Sequence, residues 1–339
     1  TTQVSTGYGG GIVGGNDESS IVSCFNTGNI NVTVSGQSGY SGGIIGADIG
    51  YKVGSKISHC YSTGNITAKS TQSSSASGGI AGHAAYLIIE SCFATGLVSA
   101  ESPNSSDAAY AGGIIGWVWS GSTTVKDCLA LNTDSVKATG NTSTKQAGRI
   151  VGKDNSATLS NNYASTKIKL TKGDNTAFPT TDIAADAING ADTYLDEVAA
   201  VIADWTGEGK AFTAIDTTAQ TGLLPRLKVI TDYNDDGLPT AYEESSFIPG
   251  QPDNLTSSTY LASLEPLSLP TGDTDLITLS CSDKKWSYTK GESGTPARFN
   301  GTIKMDASSE SSNKLMVATV TGNPTLTFER VTINATGGA

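Results

Sequence analysis

The sequence predicts an all-β fold: a β-solenoid of about five repeats of 32–36 residues, a small helix-containing cap, and a C-terminal β domain. Three observations carry this. A glycine-rich block recurs along the first half of the chain. A second, strand-like block follows it in each copy. The composition suits short strands and turns, with 40 glycines and only 16% charged residues in 339. Self-similarity at a period of about 20–50 residues marks units that bury their apolar faces by stacking on one another.

Residues 1–172 hold the repeats. Gly10-Gly11-Ile12-Val13-Gly14 returns as Gly42-Gly43-Ile44-Ile45-Gly46, Gly78-Gly79-Ile80-Ala81-Gly82 and Gly112-Gly113-Ile114-Ile115-Gly116. A decayed copy stands at Gly148-Arg149-Ile150-Val151-Gly152, and the last glycine advances by 32, 36, 34 and 36 residues. The second block, Ile21-Val22-Ser23-Cys24-Phe25-Asn26-Thr27-Gly28, recurs at Ile57–Gly64 and Ile89–Gly96, and in weaker form at Val125–Leu129 and Leu159–Tyr163. A short run such as Asn29-Ile30-Asn31-Val32-Thr33 closes each unit, so three short strands are expected per repeat.

One such unit cannot bury its own apolar face, but copies stacked at about 4.8 Å can. Stacking lines up an aliphatic ladder, Ile21, Ile57, Ile89, Val125 and Leu159, and an aromatic one, Phe25, Tyr61, Phe93, Leu129 and Tyr163. The two residues after the aliphatic are polar in nearly every copy, so alternation breaks there and a bulge or corner is expected.

The pattern G-G-I-[IV]-G followed by I-x-x-C-[FY]-x-T-G-x-I resembles the GLUG-motif repeat of bacterial cell-surface proteins. The resemblance covers about residues 5–172. It implies a solenoid scaffold without catalytic residues on a secreted, adhesin-like protein. Such repeats also occur in immunoglobulin A peptidases outside their catalytic part. The fifth copy departs from the pattern at Arg149 and Asn162, as a terminal, capping rung would.

Cys24, Cys60, Cys92 and Cys128 share one repeat position, and Cys281 stands apart. Neighbouring rungs bring such Cα atoms into disulfide range, yet one small thiol per rung is explained equally by packing in a narrow core. Metal binding by these thiols is not expected, since no CxxC pair or neighbouring histidine set exists.

Charge divides the chain. Residues 1–172 carry a net +2 and residues 173–339 a net −13, which sum to the overall −11. That acidity argues against a nucleic-acid partner. Residues 173–230 read as a cap. Tyr194, Leu195, Val198, Ile202 and Trp205 fall on one helical stripe with Thr193 as N-cap, placed to cover the solenoid's open end. Residues 231–254 read as a calcium-loop linker. Asp232, Asn234, Asp236, Thr240 and Glu243 offer side-chain oxygens at loop positions 1, 3, 5, 9 and 12, Leu238 its carbonyl at 7, and Gly237 the turn at 6. Ca²⁺ takes six to eight hard oxygens in such spacing. The run resembles thrombospondin-type-3-like calcium loops, from which Asn234 and Thr240 depart by removing two carboxylates. The alternative is a plain acidic turn.

Residues 255–339 read as a C-terminal β domain, truncated here. Phe299–Ile303 and Leu326–Asn334 look like successive rungs of a right-handed β-helix, with a small sandwich as the alternative, and Trp286 is expected in its core. Beginning at Thr1 and ending at Gly337-Gly338-Ala339, the chain reads as a piece of a longer protein.

Three function classes follow. The first is a structural or adhesive module of a bacterial surface or secreted protein, a calcium-rigidified scaffold for a surface protein or glycan, or for self-association. The second is a carbohydrate-binding module, for which Tyr8, Tyr40, Tyr110, Trp117 and Trp119 are candidate contacts. The third is a β-helix polysaccharide lyase or hydrolase, which needs clustered carboxylates and a basic partner. Asp48, Asp127 and Asp154 occupy unrelated repeat positions, so no enzyme is expected. No apolar run is long enough to span a membrane as a helix.

Overall fold

The computed structural model describes residues 6–51, 54–103, 108–119, 122–132, 135–140, 146–172, 191–193, 202–214 and 224–252 of a first compact unit, Thr1–Ala262. In a second unit, Ser263–Ala339, it describes residues 267–269, 276–282, 285–290, 297–299, 302–305, 314–320 and 326–329.

The first unit is the solenoid. Each turn contributes one strand to each of five parallel sheets, so five short strands replace the three expected per repeat. Wall one stacks Gly7–Gly10, Gly39–Gly42, Ser75–Gly78, Ala109–Gly112 and Gln146–Gly148. Wall two stacks Val13–Asn16, Ile45–Asp48, Ala81–Ala84, Ile115–Val118 and Val151–Lys153. Wall three stacks Ser20–Val22, Ser55–Ser58, Leu87–Glu90, Thr124–Lys126 and Thr158–Ser160. Wall four stacks Phe25–Asn26, Tyr61–Ser62, Phe93–Ala94, Leu129–Ala130 and Tyr163–Ser165, with Ala191–Thr193 added beyond them. Wall five stacks Ile30–Val34, Ile66–Ser70, Val98–Ser102, Ser135–Gly140 and Lys169–Lys172.

Two local features raise the strand count. The residue before each repeat cysteine, namely Ser23, His59, Ser91 and Asp127, and Asn161 before Asn162 in the last rung, lies at φ of 50–54°. This left-handed residue is the expected corner, and it splits one block between walls three and four. The Gly-Gly-Ile block makes the second split, between walls one and two. A Cβ on Gly43 would lie 2.1 Å from the carbonyl oxygen of Gly79 in the next rung, so only glycine lets the rungs approach there. Gly113 meets the oxygen of Arg149 at 2.0 Å in the same way. Arg149 is tolerated because wall one and wall two end at its own rung.

The interior is aliphatic and narrow. Ile57, Ile89 and Val125 are fully buried in register, with Ile44, Ile80, Ile114 and Ile150 from the glycine block. Each is worth about 1.5–3 kcal/mol of burial. Leu159 is only half-buried, because it belongs to the last rung. All five cysteines are thiols outside any disulfide. Their role is hydrogen bonding at the corner: Cys24 and Cys60 each donate a backbone N–H to the sulfur of the next rung, both at 3.4 Å. Asn162 takes the cysteine's place in the last rung, where its Oδ1 accepts the Cys128 N–H at 3.0 Å.

The aromatic ladder lies outside this core. Because strands alternate, the residue after each inward cysteine points outward. Tyr61, Phe93 and Leu129 form a second cluster with Leu131, Ile202, Trp205, Ala211, Phe212, Leu224 and Leu227. The described part of the cap therefore covers a lateral wall of the solenoid, and at the open end Ala191–Thr193 adds a strand to wall four. Gln251 joins the two layers, since its Oε1 accepts from the Tyr61 hydroxyl at 3.0 Å and the Leu227 N–H at 2.7 Å. Buried Lys228 closes the segment through Glu244 and the Gly207 carbonyl. No helix is present among the described residues. Thr193, expected as an N-cap, ends a strand paired with Ser165, and Ile202–Trp205 form a turn. Residues 194–201, the middle of the expected helix, lie outside the described residues. No helix among the described residues is long and apolar enough to cross a membrane.

The second unit has two sheets. Leu267–Leu269, Thr302–Met305 and Thr327–Glu329 pair in parallel, as solenoid rungs do. Ala297–Phe299, Lys285–Lys290, Leu276–Ser282 and Lys314–Val320 form a mixed sheet with antiparallel hairpin pairing. Phe299 and Ile303 thus fall in different sheets rather than on one rung. Trp286 packs in the core with Leu279, Cys281, Phe299 and Ile303, as expected.

Candidate binding face

The outward positions of walls one and two carry an aromatic strip along the solenoid axis. In wall one the register runs Tyr8, Tyr40, Ala76, Tyr110, Gln146. In wall two it runs Gly15, Ala47, His83, Trp117, Lys153. Small Ala76 leaves room on the third rung for the His83 ring. The result is a continuous row: Tyr8 on Tyr40 at 6.0 Å, Tyr40 on His83 at 4.8 Å and 21°, His83 edge-on to Trp117 at 5.2 Å. Trp119 stands edge-on to Trp117 at 4.9 Å, and Tyr110 lies 5.1 Å from Trp117.

Rings stacked along the axis cover one another's faces and turn edges to solvent. Open ring surface is left mainly at the ends of the row, where Tyr8 is 42% and Trp119 58% exposed. Ile12, Ile49 and Tyr51 add exposed apolar surface on the same turns as Tyr8 and Tyr40. His83 contributes no charge at neutral pH. Burial pushes its imidazole down to about 4, although a hydrogen bond to the Asp48 carbonyl opposes the shift. Sequence reasoning singled out all the strip's tyrosines and tryptophans but missed His83. The signal was present, because His83 follows Gly82 as Trp117 follows Gly116.

No protein-family model and no curated protein matches the chain. One solved structure is similar: a protein from Bacteroides ovatus assigned provisionally as an immunoglobulin A1 protease, 27% identical, with a TM-score of 0.40. The match covers 55% of this chain and 52% of that one, so this chain spans about half of that protein's length.

The expected calcium ligands lie on a β-hairpin, Lys228–Tyr233 paired with Pro239–Phe247. Asp232 is opposite Ala241 and Glu243 opposite Val229, so the two carboxylates are diagonal neighbours. Asn234–Leu238 make the turn, with Gly237 at φ 74° where the loop pattern requires glycine. Asp232, Asn234, Asp236, Thr240 and Glu243 are exposed. Three of the six ligand groups are engaged locally: Asn234 Oδ1 accepts the Leu238 N–H at 2.7 Å, the Leu238 carbonyl accepts the Asn234 N–H at 2.9 Å, and Asp232 Oδ1 accepts the Tyr233 N–H at 2.9 Å. Among the described residues no three of His, Cys, Asp or Glu are gathered as a ligand set. Hard oxygens of the kind calcium takes thus stand on the turn and its flanking strands, some of them engaged in closing it.

Other carboxylates of the solenoid are engaged within and between rungs. Asp48 is buried and accepts from the Ser55 hydroxyl at 2.6 Å and the Tyr86 N–H at 2.9 Å. Asp154 accepts the Ser156 and Ala157 N–H groups, and Asp127 accepts from Asn161. Glu90 is shared between Lys56 and Lys126 on wall three. Burial would raise its carboxyl, yet the two ammonium groups outweigh that and hold it below its usual range.

Proposed function

We propose that this chain is an adhesive module of a bacterial surface or secreted protein, a solenoid scaffold that presents the strip from Tyr8 to Trp119 to a partner. The observation that carries this is the alignment of aromatic side chains from four successive rungs, with exposed ends on Tyr8 and Trp119. The repeat's resemblance to GLUG-motif surface proteins supports the extracellular setting. A glycan is the favoured partner, because the Trp119 indole offers open apolar ring surface. A non-catalytic role is favoured because Asp48, Asp127 and Asp154 are each engaged in hydrogen bonds within or between rungs and are not gathered at one place.

The test is binding of the purified protein to cell surfaces and to a panel of polysaccharides, with Trp119→Ala alongside the wild type. Retention by the wild type and at least tenfold weaker retention of the variant is expected. Equal retention would remove the strip from the proposal. Release of unsaturated oligosaccharides would put the lyase reading first.

A further inference from the structure

Three contacts recur in which a rung reaches back to the rung before it. The repeat sulfur sits against the preceding corner: Cys60 Sγ accepts the Cys24 N–H and lies 3.6 Å from the Ile21 carbonyl. A Cβ on Gly46, Gly82, Gly116 or Gly152 would lie 2.5–2.6 Å from the carbonyl oxygen of the equivalent glycine one rung earlier. A Cβ on Gly64 or Gly96 would lie 1.9 Å from the oxygen of Gly28 or Gly64. These glycines are required only because something is stacked in front of them.

The first rung keeps all three features with no described rung in front. Cys24 bonds back only to its own rung, at the Val22 carbonyl. A Cβ on Gly28 would meet nothing closer than the Asn26 side chain at 3.4 Å, and one on Gly14 only Tyr8 of its own rung. Tyr8 lies on Tyr40 and leaves its other face open. The far end is unlike this: Arg149 replaces a glycine, Asn162 replaces a cysteine, and Ala191–Thr193 covers wall four. Terminal repeats that cap a solenoid are atypical in this way. The first rung departs from the others inside, with Gly9 for Ser41 and Val32 for Ala68, but it keeps glycine and cysteine at the positions that reach back to a preceding rung.

We propose that the N-terminal edge of the first rung is a docking surface for one further rung of this same repeat, carrying glycine where Arg149 stands. A second whole copy of the chain does not fit. Its last rung would place the Arg149 Cβ about 2 Å from the Gly11 carbonyl, the approach seen between Gly43 and Gly79, which real side chains never show. The added rung extends all five walls in parallel by β-augmentation.

The experiment joins a copy of residues 39–74 directly before Gly7, since Gly39 and Ser75 are the register equivalents of Gly7. One cooperative transition with a melting midpoint raised by about 4 °C or more is expected. The same extension carrying Gly43→Arg should give no rise. In the unextended chain Gly28→Ala should leave the midpoint unchanged, while in the extended chain it should lower it. No rise on extension, an equal effect of Gly28→Ala in both chains, or an unextended chain that sediments as a dimer through this edge would each overturn the proposal.

Discussion

At the residue scale, the most informative groups are those whose neighbours change their ordinary chemistry. His83 and His59 are both held neutral, mainly by burial. A histidine with a lowered folded pKa binds fewer protons folded than unfolded, so its contribution is fully present above the unfolded value of about 6.5 and is lost as pH falls. For His83 the loss runs from about 6.5 down to about 4. Urea midpoints should therefore decline over that window, and His83→Phe should flatten the decline while keeping the row of rings. Two of the repeat cysteines show the opposite shift. The hydrogen-bonded Cys60 sulfur, with burial, pushes the Cys24 thiol up, and burial does the same to Cys92. These two thiols, held protonated, are poor nucleophiles, which suits their place as hydrogen-bonding spacers.

The elements of this protein are corners as much as strands. Gly43→Ala would drive a Cβ into the Gly79 carbonyl and the Ser62 side chain, and nothing rigid can yield in the middle of the stack. A loss of about 3 kcal/mol or more in denaturant unfolding is expected. Arg149→Gly, at the same repeat position in the last rung, should change stability by under about 1 kcal/mol. The hairpin carries the calcium prediction. For an ion to bind, the Asn234 and Leu238 oxygens must be shared with it or freed from the bonds that close the turn, each worth about 1 kcal/mol. Affinity should then fall at the weak end, on the order of 10⁻³ M. Calorimetry at millimolar calcium should give heat from the wild type and none from Glu243→Ala. Equal heats would leave an acidic hairpin turn. The pattern of donors and Gly237 was legible in the sequence, but the hairpin pairing was not. Pairing depends on Leu227 and Ile248 docking on the solenoid.

For the whole molecule, the first unit is a solenoid wearing its own cover. Tyr61, Phe93, Leu129 and Leu131 are buried only because residues from Ile202 to Gln251 lie across wall four. A chain ending at Lys172 should keep its β content yet expose this row. It should bind a hydrophobic dye, and it should associate at concentrations where the full chain stays monomeric. Unchanged solubility and no dye binding would show that wall four needs no cover.

The sequence by itself determined the period, the stacking and the ladders, because each depends on residues one repeat apart and repetition makes those visible. Glycine spacing marked the first arc, and the polar pair before most of the cysteines marked the corner at Ser23 and its equivalents. The identity of the core side was not contained in the pattern. Cysteine and aromatic are adjacent in the first three copies, and which of them faces inward depends on the left-handed residue just before them. The lateral docking of the cap and the meeting of His83 with Tyr40 likewise needed the tertiary structure. Both bring together groups from different walls or distant segments, and no local spacing encodes that distance.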